Sequence, residues 1–164
     1  MSQDENYQIA FKEASYFNRR GIYYFRRGEF KKAIANFTKG LELSPKWAVL
    51  YSNRGQVYLE TGKFDQAIMD FSYAIALEPN EAEFYTNRGV AYNAKEQFEF
   101  AIQDFTKALE LDPDFAVAMA NLGLTYARIG DKEQARYWCE EALKRKKNLS
   151  RDLVLLIKIY IRGL

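Results

Sequence analysis

Histidine is absent from this 164-residue chain. With it go the commonest general base near neutral pH and the commonest metal ligand. Cysteine occurs once, at Cys139, so no disulfide can close within the chain and a reducing compartment is expected. Three prolines and nine glycines are few breakers for this length, which leaves long helix-compatible stretches. Nowhere do about 20 apolar residues follow one another, the length a bilayer crossing needs. Met1 to Lys12 has neither the basic start nor the apolar run of a signal peptide. Arg19-Arg20-Gly21 and its later counterparts fall inside helical patterns, where backbone N–H groups are already used, so they form no phosphate-binding loop. The expectations are a soluble, cytoplasmic protein with no membrane insertion, no cofactor and no metal.

What is present is a folding composition. Apolar residues make up 48% and aromatic residues 16%, which sets the chain apart from disordered sequences. Lys and Arg number 24 against 22 Asp and Glu, a net charge of +2. That is too small by itself to point to nucleic acid.

Three segments align without gaps at a period of 34 residues. They read FNRRGIYYFRRGEFKKAIANFTKGLELSP (17–45), YSNRGQVYLETGKFDQAIMDFSYAIALEP (51–79) and YTNRGVAYNAKEQFEFAIQDFTKALELDP (85–113). A fourth, MANLGLTYARIGDKEQARYWCEEALKRKK (119–147), keeps the spacing with more departures. Each copy carries two helical patterns. In the second, Tyr51, Val57 and Tyr58 share one face, and Ala67, Ile68, Phe71, Ala74 and Ile75 line the next helix. Gly21, Gly55, Gly89 and Gly123 sit mid-helix, where glycine costs about 1 kcal/mol against alanine. A recurring cost needs a recurring reason. The expected one is close approach of the paired helix, with Ala33, Ala67, Ala101 and Ala135 as the facing small side chains. Gly28, Gly62 and Gly130 fall at the turn between helices, where a left-handed residue is favoured. The third copy has Glu96 there, so its turn is expected to be strained or differently shaped. Pro45, Pro79 and Pro113 close each second helix.

This pattern resembles the tetratricopeptide repeat family. Tyr51, Arg54, Gly55, Tyr58, Ala67, Phe71, Ala74 and Pro79 fill its signature places, with Arg20, Arg54 and Arg88 where leucine is usual. The resemblance covers Ala14 to Leu149. It implies an all-α fold, an α-solenoid of four helix-turn-helix repeats at 14–47, 48–81, 82–115 and 116–149. Residues 1–13 are then a lead-in extending the first helix, and 150–164 a C-terminal capping helix. The fourth copy departs at Cys139, normally aromatic, and at Lys147, normally proline. It also puts Lys132 and Arg136 where the second copy has Phe64 and Ile68, which marks an outer repeat.

The resemblance also implies a function: a non-enzymatic scaffold that holds a peptide or protein segment in a concave groove lined by the first helices. The family's groove uses positions 2, 5, 6, 9, 12 and 13 of each copy, counted here from Ala14, Ala48, Ala82 and Ala116. The candidate residues are Asn18, Arg19, Phe25 and Arg26 in the first copy and Asn53, Gln56 and Glu60 in the second. The third supplies Asn87, Val90 and Asn93, and the fourth Asn121, Leu124 and Arg128. A line of asparagines, each with a donor and an acceptor, can bind a peptide backbone whatever its side chains, or can simply solvate the helices. Arg19 and Arg26 suit a carboxylate, or are an ordinary pair of solvated charges.

The clamp with which some family members take heat-shock carboxyl termini is not expected. It needs Lys and Asn at positions 5 and 9, Asn at 6 of the next copy, and Lys and Arg at 2 and 6 of the third. This chain offers Asn18, Ile22, Asn53, Glu83 and Asn87 in one frame. The other frame gives Ser52, Gln56, Asn87, Val117 and Asn121. Only the central asparagine matches in either.

Charge is sorted by copy. Eight basic residues against two acidic give +6 over 14–47, and two against five give −3 over 48–81. Three against seven give −4 over 82–115, and seven against four give +3 over 116–149. Nucleic-acid binding by Arg19, Arg20, Arg26 and Arg27 is not expected, because these arginines wrap around their helix instead of forming one stripe. Cys139 takes the place of Phe37, Phe71 and Phe105, a core position, and no histidine exists to activate it. Pairs such as Asp65 and Asp70 read as solvated helix faces. No enzyme is expected.

In the tail, Ser150 is a candidate N-cap and Asp152 lies in the first turn. Leu153, Leu156 and Tyr160 continue the repeat pattern and are expected to dock on the fourth copy. Val154, Leu155, Ile157, Ile159 and Ile161 surround the helix, leaving Arg151, Lys158 and Arg162 as a narrow polar stripe. Its span of about 18 Å falls short of a bilayer core, so protein is expected to cover it. A second copy in a two-fold homodimer leads; a further repeat or a partner are the alternatives. The alternative function is therefore a structural subunit that self-associates through this helix.

Overall fold

A computed structural model describes residues 3–145 and 149–163. Within them lie nine α-helices and no strand. They are α1 (Gln3–Arg26), α2 (Phe30–Leu43), α3 (Ala48–Glu60), α4 (Phe64–Leu77), α5 (Ala82–Ala94), α6 (Phe98–Leu111), α7 (Ala116–Ile129), α8 (Lys132–Lys144) and α9 (Arg151–Gly163). Two compact units meet in sequence at Pro79 and Asn80. One holds α1–α4, the other α5–α9. The departure expected at Lys147 lies outside the described residues.

Every hairpin turns by the same backbone device. The N–H of Glu29 donates to the Tyr24 carbonyl at 2.9 Å, and that of Gly28 to Phe25 at 2.9 Å. Lys63 to Tyr58, Gln97 to Tyr92 and Asp131 to Tyr126 repeat the longer bond at 2.8, 3.0 and 3.0 Å. This pair of bonds satisfies the last carbonyls of the first helix and needs one left-handed residue. Gly28, Gly62 and Gly130 supply it at φ 71°, 72° and 87°. Glu96 takes the same conformation at φ 60°, so the third turn keeps its shape and bears the strain of a side chain there.

The mid-helix glycines make room for a ring. A Cβ on Gly21, Gly55 or Gly89 would lie 2.5, 2.9 or 2.7 Å from the ring of Phe37, Phe71 or Phe105. The expected facing alanines are buried, but the close neighbour is the phenylalanine of the second helix. In the fourth copy Cys139 replaces the ring, and a Cβ on Gly123 would meet its Sγ at 2.7 Å and its backbone N at 2.9 Å.

Within the first unit, Ala33, Phe37, Leu41, Leu50 and Val57 form one buried cluster joining α2 to α3. In the second, Ala101, Phe105 and Leu122 join α6 to α7. Lys132 and Arg136 are exposed.

Ser150 caps α9, its Oγ accepting from the Leu153 N–H at 3.2 Å. The docked face of α9 differs from the expected one. Ile157 and Ile161, both expected on the outside, are docked: Ile157 is fully buried among Met119, Ala120, Cys139 and Ala142, and Ile161 packs on the same side with Leu153. Leu156, expected to dock, is 48% exposed. The reason is spacing: 153, 157 and 161 form an i, i+4, i+8 seam. The Tyr160 hydroxyl donates to the Ala127 carbonyl at 3.0 Å. In repeat register Ile159 corresponds to Val57, Ala91 and Thr125. Those are buried, whereas Ile159 is 60% exposed. α9 therefore packs with another face than the first helices of the repeats do.

Candidate peptide-binding face

On the first unit, the candidate residues lie along α1 and α3. Asn53 Nδ2 donates to Asn18 Oδ1 at 2.8 Å, which stitches the two helices and commits an amide expected to face a ligand. Gln56 is half-buried and Glu60 exposed. Phe25 packs on Phe30, ring centroids 6.0 Å apart, and belongs largely to the hairpin core. Arg19 and Arg26 are exposed and border, with Ile22, Tyr23 and Arg27, a depression of about 430 Å³. Three of the four arginines thus gather on one side, where the sequence was expected to scatter them. Arg20 turns away, donating to the hydroxyls of Tyr16 at 3.1 Å and Tyr24 at 3.3 Å.

On the second unit the stitching is denser. Asn93 Nδ2 donates to Thr125 Oγ1 at 2.7 Å, and that hydroxyl donates to the Asn121 carbonyl at 2.7 Å. Asn121 Nδ2 is spent on the Val117 carbonyl of its own helix at 2.9 Å. Arg128 donates to the Asn93 carbonyl at 2.8 Å and to Glu96 at 3.2 Å, and lies 4.7 Å above the Phe98 ring. It is a strut between α7 and the third turn. Val90 packs toward the Phe105 cluster, and Leu124 is half-buried. The Asn93 side-chain oxygen is buried and accepts no hydrogen bond among the described residues. Asn87, half-buried, takes part in no side-chain hydrogen bond among the described residues. It is the amide left open.

Cys139 is fully buried, and burial pushes its thiol up to about 11, with Glu140 adding to the effect. At neutral pH it is a protonated core side chain. Among the described residues no cluster of His, Cys, Asp or Glu is arranged to hold a metal, and no helix is long and apolar enough to cross a membrane.

Family models described as tetratricopeptide repeats match residues 82–115, residues 21–62 and 55–96, and residues 105–137. The first TPR domain of human RPAP3 is 32% identical, over 75% of this chain and 97% of that domain, with a TM-score of 0.70. The first TPR of Spaghetti (RPAP3), solved with the HSP90 peptide SRMEEVD, is 31% identical over 73% and 94%, TM-score 0.70. MamA from Desulfovibrio magneticus RS-1 is 25% identical over 84% and 77%, TM-score 0.75.

The chain belongs to the tetratricopeptide repeat family. No match is found among curated proteins.

In a tetratricopeptide repeat protein the arginines at the usual leucine place need an explanation, and the expected surface role of Asp70 does not survive. Asp70 is fully buried. Arg54 Nε and one terminal nitrogen each bind one of its carboxylate oxygens at 2.8 Å, while the other reaches Thr38 Oγ1 at 3.0 Å. One guanidinium thereby ties α3 to α4 and to the preceding α2. Burial pushes the Asp70 carboxyl up, opposed by the Arg54 hydrogen bonds, which raise the guanidinium in turn. Arg88 grips Asp104 in the same bidentate way, both bonds 2.8 Å. The fourth repeat replaces both partners together, with Leu122 and Trp138. The first keeps Arg20 but has Asn36 at the acid's place, and Asn36 Nδ2 binds the Lys32 carbonyl at 2.8 Å. The signal was in the sequence as an Arg…Asp spacing of 16 residues, present in two copies and lost as a pair in the fourth.

Proposed function

We propose that this chain is a non-enzymatic module that holds a segment of another protein against the faces of its first helices. The observation that carries this is 31% identity to a tetratricopeptide repeat domain solved with a bound peptide. Asn87 is the amide open to a peptide backbone. Arg19 and Arg26, paired with no carboxylate among the described residues, would meet acidic groups of the ligand. The ligand is not a heat-shock carboxyl terminus, since Ile22 and Glu83 stand where the clamp needs a donor and a cation. A single buried thiol suits a reducing compartment such as the cytoplasm.

The test is capture of a partner by the intact chain, repeated with Asn87→Ala and with Arg19→Ala/Arg26→Ala. Asn87→Ala should weaken binding by about 1 kcal/mol, one net hydrogen bond, and leave the fold intact. Capture indifferent to both variants would refute this face as the site. A titration with a peptide ending Glu-Glu-Val-Asp should show no measurable binding, and micromolar affinity would sink the negative half of the proposal.

The apolar outer side of α9 favours a second reading, a structural subunit that self-associates. Leu155, Leu156 and Ile159 are 58%, 48% and 60% exposed.

A further inference from the structure

The face of α1 that carries Tyr16, Arg20 and Tyr23 has an exact counterpart one repeat later. Leu50, Arg54 and Val57 occupy the same places on α3, and α2 is seated on them. Leu50 and Val57 are fully buried, Leu50 close enough to leave a Cβ on Gly40 only 3.0 Å, and Thr38 of α2 binds Arg54. On α1 the same positions are tyrosines, 48% and 55% exposed. Among the described residues no helix covers them.

The chemistry of the two faces differs in one respect that names the missing charge. Arg54 is neutralised by Asp70; Arg20 faces Asn36. Its guanidinium rests instead over the Tyr16 and Tyr24 rings, each 5.7 Å away, and no carboxylate pairs with it among the described residues. Lys32 and Lys39 sit over the Tyr24 and Phe17 rings at 5.2 and 5.7 Å, and this repeat carries the +6 charge. Tyrosine offers apolar area with a polar tip, as suits a surface that is alternately wet and covered.

We infer that this face of α1 and α2 docks an amphipathic helix of a protein partner, seated as α2 sits on α3, with an acidic side chain at the place of Thr38 to pair with Arg20. The pair is charge-assisted and bidentate, as at Arg54 and Asp70. Through Tyr23 this surface adjoins the depression bordered by Arg19 and Arg26, and it does not include the Asn18–Asn53 contact.

The probe is a hydrocarbon-stapled peptide of the α6 sequence, Phe98–Leu111, with Thr106→Glu, since Thr106 is the repeat equivalent of Thr38. Its Thr106→Lys counterpart is the comparison. Binding to the full chain is followed by fluorescence anisotropy. The glutamate peptide should bind at least about tenfold more tightly than the lysine peptide, and Arg20→Glu should abolish that difference. A second variant, Asn36→Asp, installs the carboxylate of the inner repeats and should weaken the glutamate peptide by occupying Arg20 from within. Far-UV circular dichroism confirms that both variants remain folded. Equal binding of the two peptides, or a preference untouched by both variants, overturns the inference. A concentration-dependent dimer that Arg20→Glu dissociates, or tighter binding of a mixed-sequence oligonucleotide, reassigns the face and overturns it too.

Discussion

Glu96 pays at the third turn for a conformation that glycine adopts freely at the other three. Its φ of 60° places a Cβ against the following carbonyl. Its ion pair to Arg128 is long, 3.2 Å, and both side chains are well exposed, so it offsets little. Glu96→Gly should therefore stabilise the fold by about 1 kcal/mol, read as a higher urea midpoint with an unchanged slope. A lower midpoint would show that the Arg128 strut outweighs the backbone strain. Cys139 supplies a second residue-scale test. Its folded value, about 11, lies above the ordinary 9.0. The stability from burying the neutral thiol is thus complete below pH 9.0 and lost as pH rises through about 11. Between pH 8 and 11 the wild type should lose about 2 kcal/mol more than Cys139→Ala, in which tyrosines and lysines titrate alike. Parallel losses would mean that the thiol is not held in its neutral form. Both sites were marked in the sequence by breaking a repeat, Glu96 among glycines and Cys139 among phenylalanines. What the sequence left open was the sign of the response: whether the turn would reshape or strain.

At the scale of elements, the Arg54–Asp70 pair decides how α3 is fastened to α4 and α2. Removing only the acid leaves a guanidinium that is largely out of water without its partner. Asp70→Ala should cost about 3 kcal/mol in thermal or chemical unfolding. Arg54→Leu with Asp70→Trp installs the pair of the fourth repeat and should recover most of that loss, since apolar replacement of a buried ion pair is often close to neutral. Additive losses in the double variant would argue that Thr38 and the ring contacts of Arg54 matter more than the carboxylate. The helices and turns were legible in the sequence because a 34-residue period repeats their local physics three times over. This pair was legible only as a spacing, Arg54 to Asp70 and Arg88 to Asp104, since each aspartate by itself looks like a surface acid until its helix is turned inward. The asparagine row fared similarly. Spacing put Asn53, Asn87 and Asn121 at one repeat position, yet only contacts with Asn18 and Val117 distinguish the spent amides from the open one.

For the molecule as a whole, the open question is what meets the outer side of α9. The repeat register carried into α9 puts Leu156 inside, at the place of Leu122, and places Ile157 with the buried Gly55, Gly89 and Gly123, so only the expectation for Leu156 rests on the register. The helix is rotated instead, with Leu153, Ile157 and Ile161 docked and Leu155, Leu156 and Ile159 facing out. Three large apolar side chains on two helical turns form a compact exposed patch. A two-fold axis beside such a helix buries the patch against itself. The net charge of +2 provides little repulsion against that pairing. Light scattering should therefore give a dimer mass for the intact chain. Leu155→Glu with Ile159→Glu should yield a folded monomer, because neither side chain contributes to the docked seam. Ile157→Glu tests the opposite side of the same helix. It buries a carboxylate beside Cys139 and should cost at least about 3 kcal/mol of stability, detaching α9. The two variants separate the roles of the two faces: the outer pair should change mass without changing stability at the level of the monomer, and the inner residue should change stability first. A chain that stays monomeric at high concentration and keeps its solubility would show that the outer face of α9 is tolerated by water, and would remove the self-associating subunit from consideration.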